Sequence, residues 1–139
     1  EEAKVLSAGR QNISLTLSGA SHLVGSSREL HSVFSNLVTN AVRYTPKGGE
    51  ITLHWLADGH GGRFSVTDTG VGIAPEHLPR LTERFYRVDH GRSREMGGTG
   101  LGLAIVKHVL ERHQAQLEIE SDPGKGSTFT AVFPSHRVR

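Results

Sequence analysis

Asn36-Leu-Val-Thr-Asn40-Ala-Val-Arg-Tyr44 reads as the second half of an amphipathic helix. Leu30, Val33, Phe34, Leu37, Val38 and Ala41 recur at helical spacing and form one apolar stripe. Asn36, Asn40 and Arg43 share a second stripe beside it. Asparagine is a mediocre helix former, so two of them next to a core seam need a reason. One is hydrogen bonding to neighbouring backbone. The other is an amide oxygen that ligates Mg²⁺, a hard cation that keeps several waters and needs few protein oxygens. In that second case Arg43 is placed to meet a phosphate and Tyr44 to offer its ring to a base. Ser26 or Ser27 can cap this helix, and Pro46 with Gly48-Gly49 ends it after about Tyr44.

Two further strings follow in order. In Asp68-Thr-Gly-Val-Gly72 the aspartate closes a strand in which Phe64 and Val66 face the same side, so alternation turns its carboxylate inward. A buried carboxylate is costly unless it accepts hydrogen bonds. It either caps the Gly70 turn or accepts from the exocyclic amine of adenine, with Gly70 and Gly72 letting a ligand approach the backbone. Gly97-Gly-Thr-Gly-Leu-Gly102 enters a second helix, expected over about Gly100 to His113, with Leu103, Val106 and Leu110 on one side. Free N–H groups at such a helix start attract anions. Together the three strings offer a metal ligand, a buried acceptor and an anion-holding turn, the needs of a nucleoside triphosphate. Gly70-Val-Gly72 lacks the third glycine of a dinucleotide fold, and no Walker loop is present. The nine histidines show no paired metal spacing, and His108 and His113 are expected on the surface of the second helix.

Working outward, 139 residues suit one domain with one core. The 35% apolar content is that of a soluble globular protein, and without cysteine neither disulfides nor thiolate metal sites are possible. A net charge of +2 does not suggest nucleic-acid binding. No apolar run approaches the roughly 20 residues of a membrane-crossing helix. The opening Glu1-Glu2-Ala3 reads as an excised piece of something larger. Strands are expected at Ile13–Leu17, half-buried, at His22–Val24, at 50–57 and 63–69, and at 115–121 and 127–133. Pro75-Glu-His-Leu opens a short helix, and 85–99 reads as a long, arginine-rich loop. Domain limits are set at 11–135, after a linker or helix end at 1–10 and before a tail at 136–139. The pattern is α+β: a two-layer α/β sandwich with helices on one face of a mixed sheet.

The ordered strings resemble the N, G1, F and G2 boxes of the ATP-binding catalytic domain of bacterial sensor histidine kinases, within the gyrase–Hsp90–kinase–MutL superfamily. Here they read Asn36 to Pro46, Asp68 to Ala74, Glu83-Arg-Phe-Tyr-Arg-Val-Asp89 and Gly98 to Leu103. The likeness spans residues 10–134. The run Ala74 to Asp89, followed by Leu101-Gly-Leu-Ala-Ile-Val-Lys-His108, is most similar to the phosphate-regulon branch. The resemblance implies a Bergerat-type sandwich that binds Mg·ATP under a lid at 73–98. By matching positions it implies that Asn40, helped by Asn36, ligates Mg²⁺ and that Arg43 contacts phosphate. Tyr44 would pack on adenine, and Asp68 would fix the adenine amine beside Gly70, Gly72 and Ile73, with Ser127 as a water-mediated helper. Arg87 and Arg84 would reach the terminal phosphates, while Gly98, Thr99, Gly100, Leu101, Gly102 and Leu103 hold the polyphosphate.

Hydrolytic members of the superfamily carry glutamate at the place of Asn36. An amide cannot act as general base near neutral pH, so the resemblance implies a domain that holds ATP for another nucleophile. No histidine here has the context of the family's phosphorylated one. The implied partners are the dimerisation domain that carries it and a cognate response regulator, in a homodimeric bacterial inner-membrane sensor whose cytoplasmic side includes this domain. An ATP-gated clamp that hydrolyses ATP, and a non-catalytic binding module, are the alternatives.

Overall fold

The computed structural model describes residues 12–18, 23–84 and 102–138. The expectations for residues 1–10, for the loop at 85–99 and for Arg87, Gly98, Thr99, Gly100 and Leu101 lie outside them. Helix α1 spans Ser27–Tyr44, and the Ser26 hydroxyl accepts from the Glu29 N–H at 3.3 Å as its N-cap. Thr45 leaves the helix in an extended conformation, and Pro46 prevents further turns. Of the expected apolar stripe Leu30, Val33, Leu37, Val38 and Ala41 are buried and Phe34 is half-buried, and Val42 is buried with them.

Five strands form one sheet in the order β1-β2-β3-β5-β4: β1 Asn12–Ser18, β2 Glu50–Asp58, β3 Gly61–Asp68, β4 Gln116–Asp122 and β5 Gly126–Pro134. Only β1 and β2 run parallel. Register aligns Ile51, Asp68, Ser127 and Ser121 across β2, β3, β5 and β4 as one row on the inner face. The next inner row is Leu53, Val66, Phe129 and Ile119. Both long helices cover this face, and Phe34 of α1 packs its ring 4.6 Å from that of Phe64. The other face carries hydroxyls and charges, with Ser65 bonded to Thr130, Thr67 to Thr128 and Arg63 to Glu118. This is the α+β two-layer sandwich that the pattern predicts.

Several details differ from the sequence-based expectation. The strand expected from residue 63 begins at Gly61, which pairs with Asp58 and Pro134, and Gly62 lies under the Trp55 indole, where a Cβ would stand 2.4 Å from the ring. Leu15, on the strand that is the sheet's edge among the described residues, is 59% exposed rather than half-buried. Of the strand expected at His22–Val24, His22 lies outside the described residues and Leu23 forms a bridge to Val138. The residues set apart as a tail are joined to the domain as far as Val138, with Arg137 Nη1 donating to the Val24 carbonyl at 3.2 Å.

Helix α2 spans Gly102–Arg112 and buries Val106, Val109 and Leu110. The Ala115 N–H closes it onto the Leu110 carbonyl at 2.8 Å, with Gln114 in the left-handed region at φ 56°. His113 is not on the surface, as expected from sequence, but 4% exposed. Its Nδ1 lies 2.9 Å from the Val109 carbonyl and its Nε2 accepts from the Ser26 N–H at 3.1 Å. That pattern requires the neutral ring with its proton on Nδ1. His113 thereby ties the end of α2 to the start of α1, and Arg112 adds an ion pair to Glu29 at 3.1 Å. Replacing His113 with leucine keeps comparable bulk but leaves the Ser26 N–H without its acceptor. Urea unfolding of His113→Leu should show a loss of about 1–3 kcal/mol; an unchanged midpoint contradicts the tie.

Candidate functional site

Asp68 stands where the apolar rows of the sheet stop. Its inner-face neighbours are Ile51 on one side and Ser127 then Ser121 on the other, and it is 5% exposed. The Gly70 N–H donates to Asp68 Oδ1 at 2.9 Å. Burial pushes the carboxyl above its ordinary value of 3.8, while backbone hydrogen bonds from Gly70 and Ser127 pull the other way. The two readings of this residue are compatible. The side chain caps its turn, and a carboxylate has about four lone-pair sites, so capacity for a further donor remains.

The Gly70 turn is folded against the last turn of α1. A Cβ on Gly70 would lie 2.2 Å from the Tyr44 carbonyl oxygen, and the Val71 N–H donates to that same oxygen at 3.2 Å. Gly72, at φ 73°, leaves no room for a Cβ against the Asp122 carbonyl. The protein's own backbone therefore requires both glycines, with no appeal to a ligand. The Ile73 N–H is held by the Ser121 hydroxyl at 2.7 Å. Ser121 was not singled out in the sequence. Its signal is a small polar residue that continues the alternation of Leu117 and Ile119 onto the inner face.

The stripe of α1 connects this turn to the second helix. Asn36, Asn40, Arg43 and Tyr44 are all half-buried. Asn36 Nδ2 donates to the Ser32 carbonyl at 2.7 Å, so its amide does bond to neighbouring backbone. Its Oδ1 instead faces the start of α2, 2.9 Å from where a Cβ on Gly102 would stand. Gly102 thus lets the positive end of α2 close on the Asn36 amide oxygen. Contacts of Ser26 with His113 and of Asn36 with Gly102 set the two helices antiparallel. From Asn36 to Tyr44 the helix rises about 12 Å. One end of that span holds a buried carboxylate, the other an amide oxygen beside a helix N-terminus.

Leu103 packs against the core, and Arg84 is exposed at the edge of the described residues. Among the described residues no group of three or more His, Cys, Asp or Glu side chains can hold a metal. Amide oxygens suit an ion whose other ligands are phosphate oxygens and water. The cavity of about 540 Å³ between Leu78, Lys107, Leu110 and Ile119 contains none of the candidate residues. One of about 340 Å³ includes Asp68 and Ser127, but it also draws Thr67, Glu120 and Thr128 from the outer face.

Residues 25–137 match the family described as histidine kinase-, DNA gyrase B-, and HSP90-like ATPase. The chain is 62% identical over 138 residues to the phosphate regulon sensor protein PhoR of Pseudomonas aeruginosa, covering 99% of this chain and 31% of that protein. Identity to the sensor-like histidine kinase SenX3 of Mycobacterium tuberculosis is 45% over 113 residues, covering 81% of this chain and 28% of that protein. The chain thus spans about a third of the length of these curated relatives. Among solved structures, the mycobacterial sensor histidine kinase MprB superimposes with a TM-score of 0.83 at 29% identity, covering 96% of this chain and 88% of that one. Full-length ShkA in complex with AMPPNP superimposes with a TM-score of 0.78 at 30% identity, covering 95% of this chain and 28% of that one.

Folded Asp68 holds its proton to a higher pH than the unfolded chain does, so its ionisation makes stability fall as pH rises from 3.8 through the raised folded value. Asparagine keeps an oxygen for the Gly70 N–H but carries no charge. In thermal melts from about pH 4 to about pH 7, Asp68→Asn should gain stability relative to the parent as pH rises. A deficit that widens toward neutral pH contradicts the buried-charge assignment.

Proposed function

Since this chain belongs to the family of histidine kinase-, DNA gyrase B- and HSP90-like ATPases, we propose that it is the ATP-binding catalytic half of a sensor histidine kinase, one that holds Mg·ATP and gives its γ-phosphoryl group to a histidine outside this chain. The observation that carries the reading is the pairing of two chemistries along one helix. Asp68, buried with acceptor capacity to spare, suits the exocyclic amine of adenine at the Tyr44 end. At the other end, the amide oxygen of Asn36 beside the N-terminus of α2 suits a cation and the phosphates it accompanies.

In this reading Asn40 and Asn36 ligate Mg²⁺, Arg43 meets phosphate, and Tyr44 packs against the base. Gly70, Gly72 and Ile73 shape the wall around Asp68, and Ser127 assists it through water. Gly102 and Leu103, with Gly98 to Leu101 and the arginines Arg84 and Arg87, attend the polyphosphate. A bound Mg²⁺ supplies charge neutralisation at the phosphates; the chain's own groups orient the nucleotide and exclude competing acceptors.

Asn36 supports transfer over hydrolysis. Its nitrogen is committed to the Ser32 carbonyl, and an amide oxygen does not take a proton near neutral pH. Water therefore lacks a base at that place, and the phosphoryl group waits for a stronger nucleophile. The full-length protein, in this account, is a homodimeric membrane sensor of the phosphate-regulon type. Its dimerisation domain carries the receiving histidine, and a response regulator takes the phosphoryl group onward. Among the described residues no helix is long and apolar enough to cross a membrane.

Labelled ATP tests the division of labour. The 139-residue chain alone should bind nucleotide yet form no stable phosphohistidine; the full-length protein should label on a histidine outside this chain. Stoichiometric phosphohistidine within this chain, or repeated turnover to ADP by the chain alone, overturns the reading.

A further inference from the structure

We infer that Ser121 is a positioning residue that sets the hydrogen-bond polarity of the base-reading row, so that the row selects a ligand with an exocyclic amine over one with a carbonyl at the same place. The inference rests on the adenine-nucleotide reading above and deepens it.

Three groups surround Ser121 Oγ: the Ile73 N–H at 2.7 Å, the Gly126 carbonyl at 3.1 Å and Ser127 Oγ at 2.7 Å. A hydroxyl has one proton to donate and two lone pairs to accept with. The Ile73 amide can only donate, and the Gly126 carbonyl can only accept. Bonding to both leaves Ser121 with no proton and one lone pair. The short contact to Ser127 is then satisfied in one direction alone, with Ser127 as the donor.

The consequence falls on Ser127. Its single proton points toward Ser121, so only lone pairs remain for anything else. Ser127 is 7% exposed and stands directly opposite Asp68 in the sheet register. Asp68 accepts through its carboxylate. Two neighbouring positions in the row thus present acceptors and no donor. An amine brings two protons to such a wall, whereas a carbonyl brings none and strands acceptor against acceptor. Without the Ser121 hydroxyl, the Ser127 O–H is free to turn and donate to a carbonyl.

Adenosine and inosine diphosphates differ at C6, an amine against a carbonyl, and at N1, a bare nitrogen against an N–H; the change of their ratio between parent and variant is the probe. Calorimetric titration of both into the parent chain, Ser121→Ala and Ser121→Thr reads the preference as a ratio of affinities. In Ser121→Ala the preference for ADP over IDP should fall about tenfold, the scale of one hydrogen bond; in Ser121→Thr, which keeps the hydroxyl, it should be retained. Affinities for ADP and IDP that fall together, with their ratio unchanged, overturn the inference and leave Ser121 a purely structural residue. If Ser121→Ala does not fold, Ser121→Val, which also lacks the hydroxyl and suits a strand, takes its place, with the same expected fall and the same contrary result. Absence of ADP binding by the parent chain overturns the nucleotide reading itself, and this inference with it.

Discussion

A charged group at the edge of an apolar layer constrains everything around it. Asp68 occupies an inner-face position that continues the rows of Phe64 and Val66, and backbone N–H groups at a tight turn make that place tolerable for a carboxylate. The turn must fold back against the end of α1, which fixes Gly70 against the Tyr44 carbonyl. The segment beyond it must meet the β4–β5 hairpin, which fixes Gly72 and the Ile73 N–H. Burial raises the cost of the charge.

The helices extend this constraint into a separation of about 12 Å. Ser26 and His113 pin one end of the antiparallel pair, while Asn36 and Gly102 meet at the other. The stripe on α1 therefore faces the start of α2 at one level and the Asp68 turn at another. A ligand that satisfies both must be long, with a hydrogen-bond donor at one end and negative charge at the other. The proposed nucleotide meets both requirements, and in that proposal Asn36 favours donation of its phosphoryl group over hydrolysis.

Much of this was legible in the sequence because it rests on local periodicity. The spacing of Leu30 to Ala41 placed α1 and its polar stripe, and alternation through Phe64 and Val66 turned Asp68 inward. What escaped depends on pairing between distant segments. His113 is polar and near a helix end, so it read as surface; only the docking of Ser26, far away in sequence, buries it. Ser121 acquires meaning from register, which sets it beside Ser127 and beneath Ile73. The glycines of the Asp68 turn were read as openings for a ligand, yet close packing against two carbonyls already demands them.

The account turns on whether the Asp68 carboxylate reads the base. Calorimetric titration of ADP into Asp68→Asn, alongside the parent chain and with the fold of each checked by circular dichroism, addresses this most directly. The account predicts heat of binding for the parent and none for a variant that is equally folded. Undiminished ADP affinity in folded Asp68→Asn would contradict it.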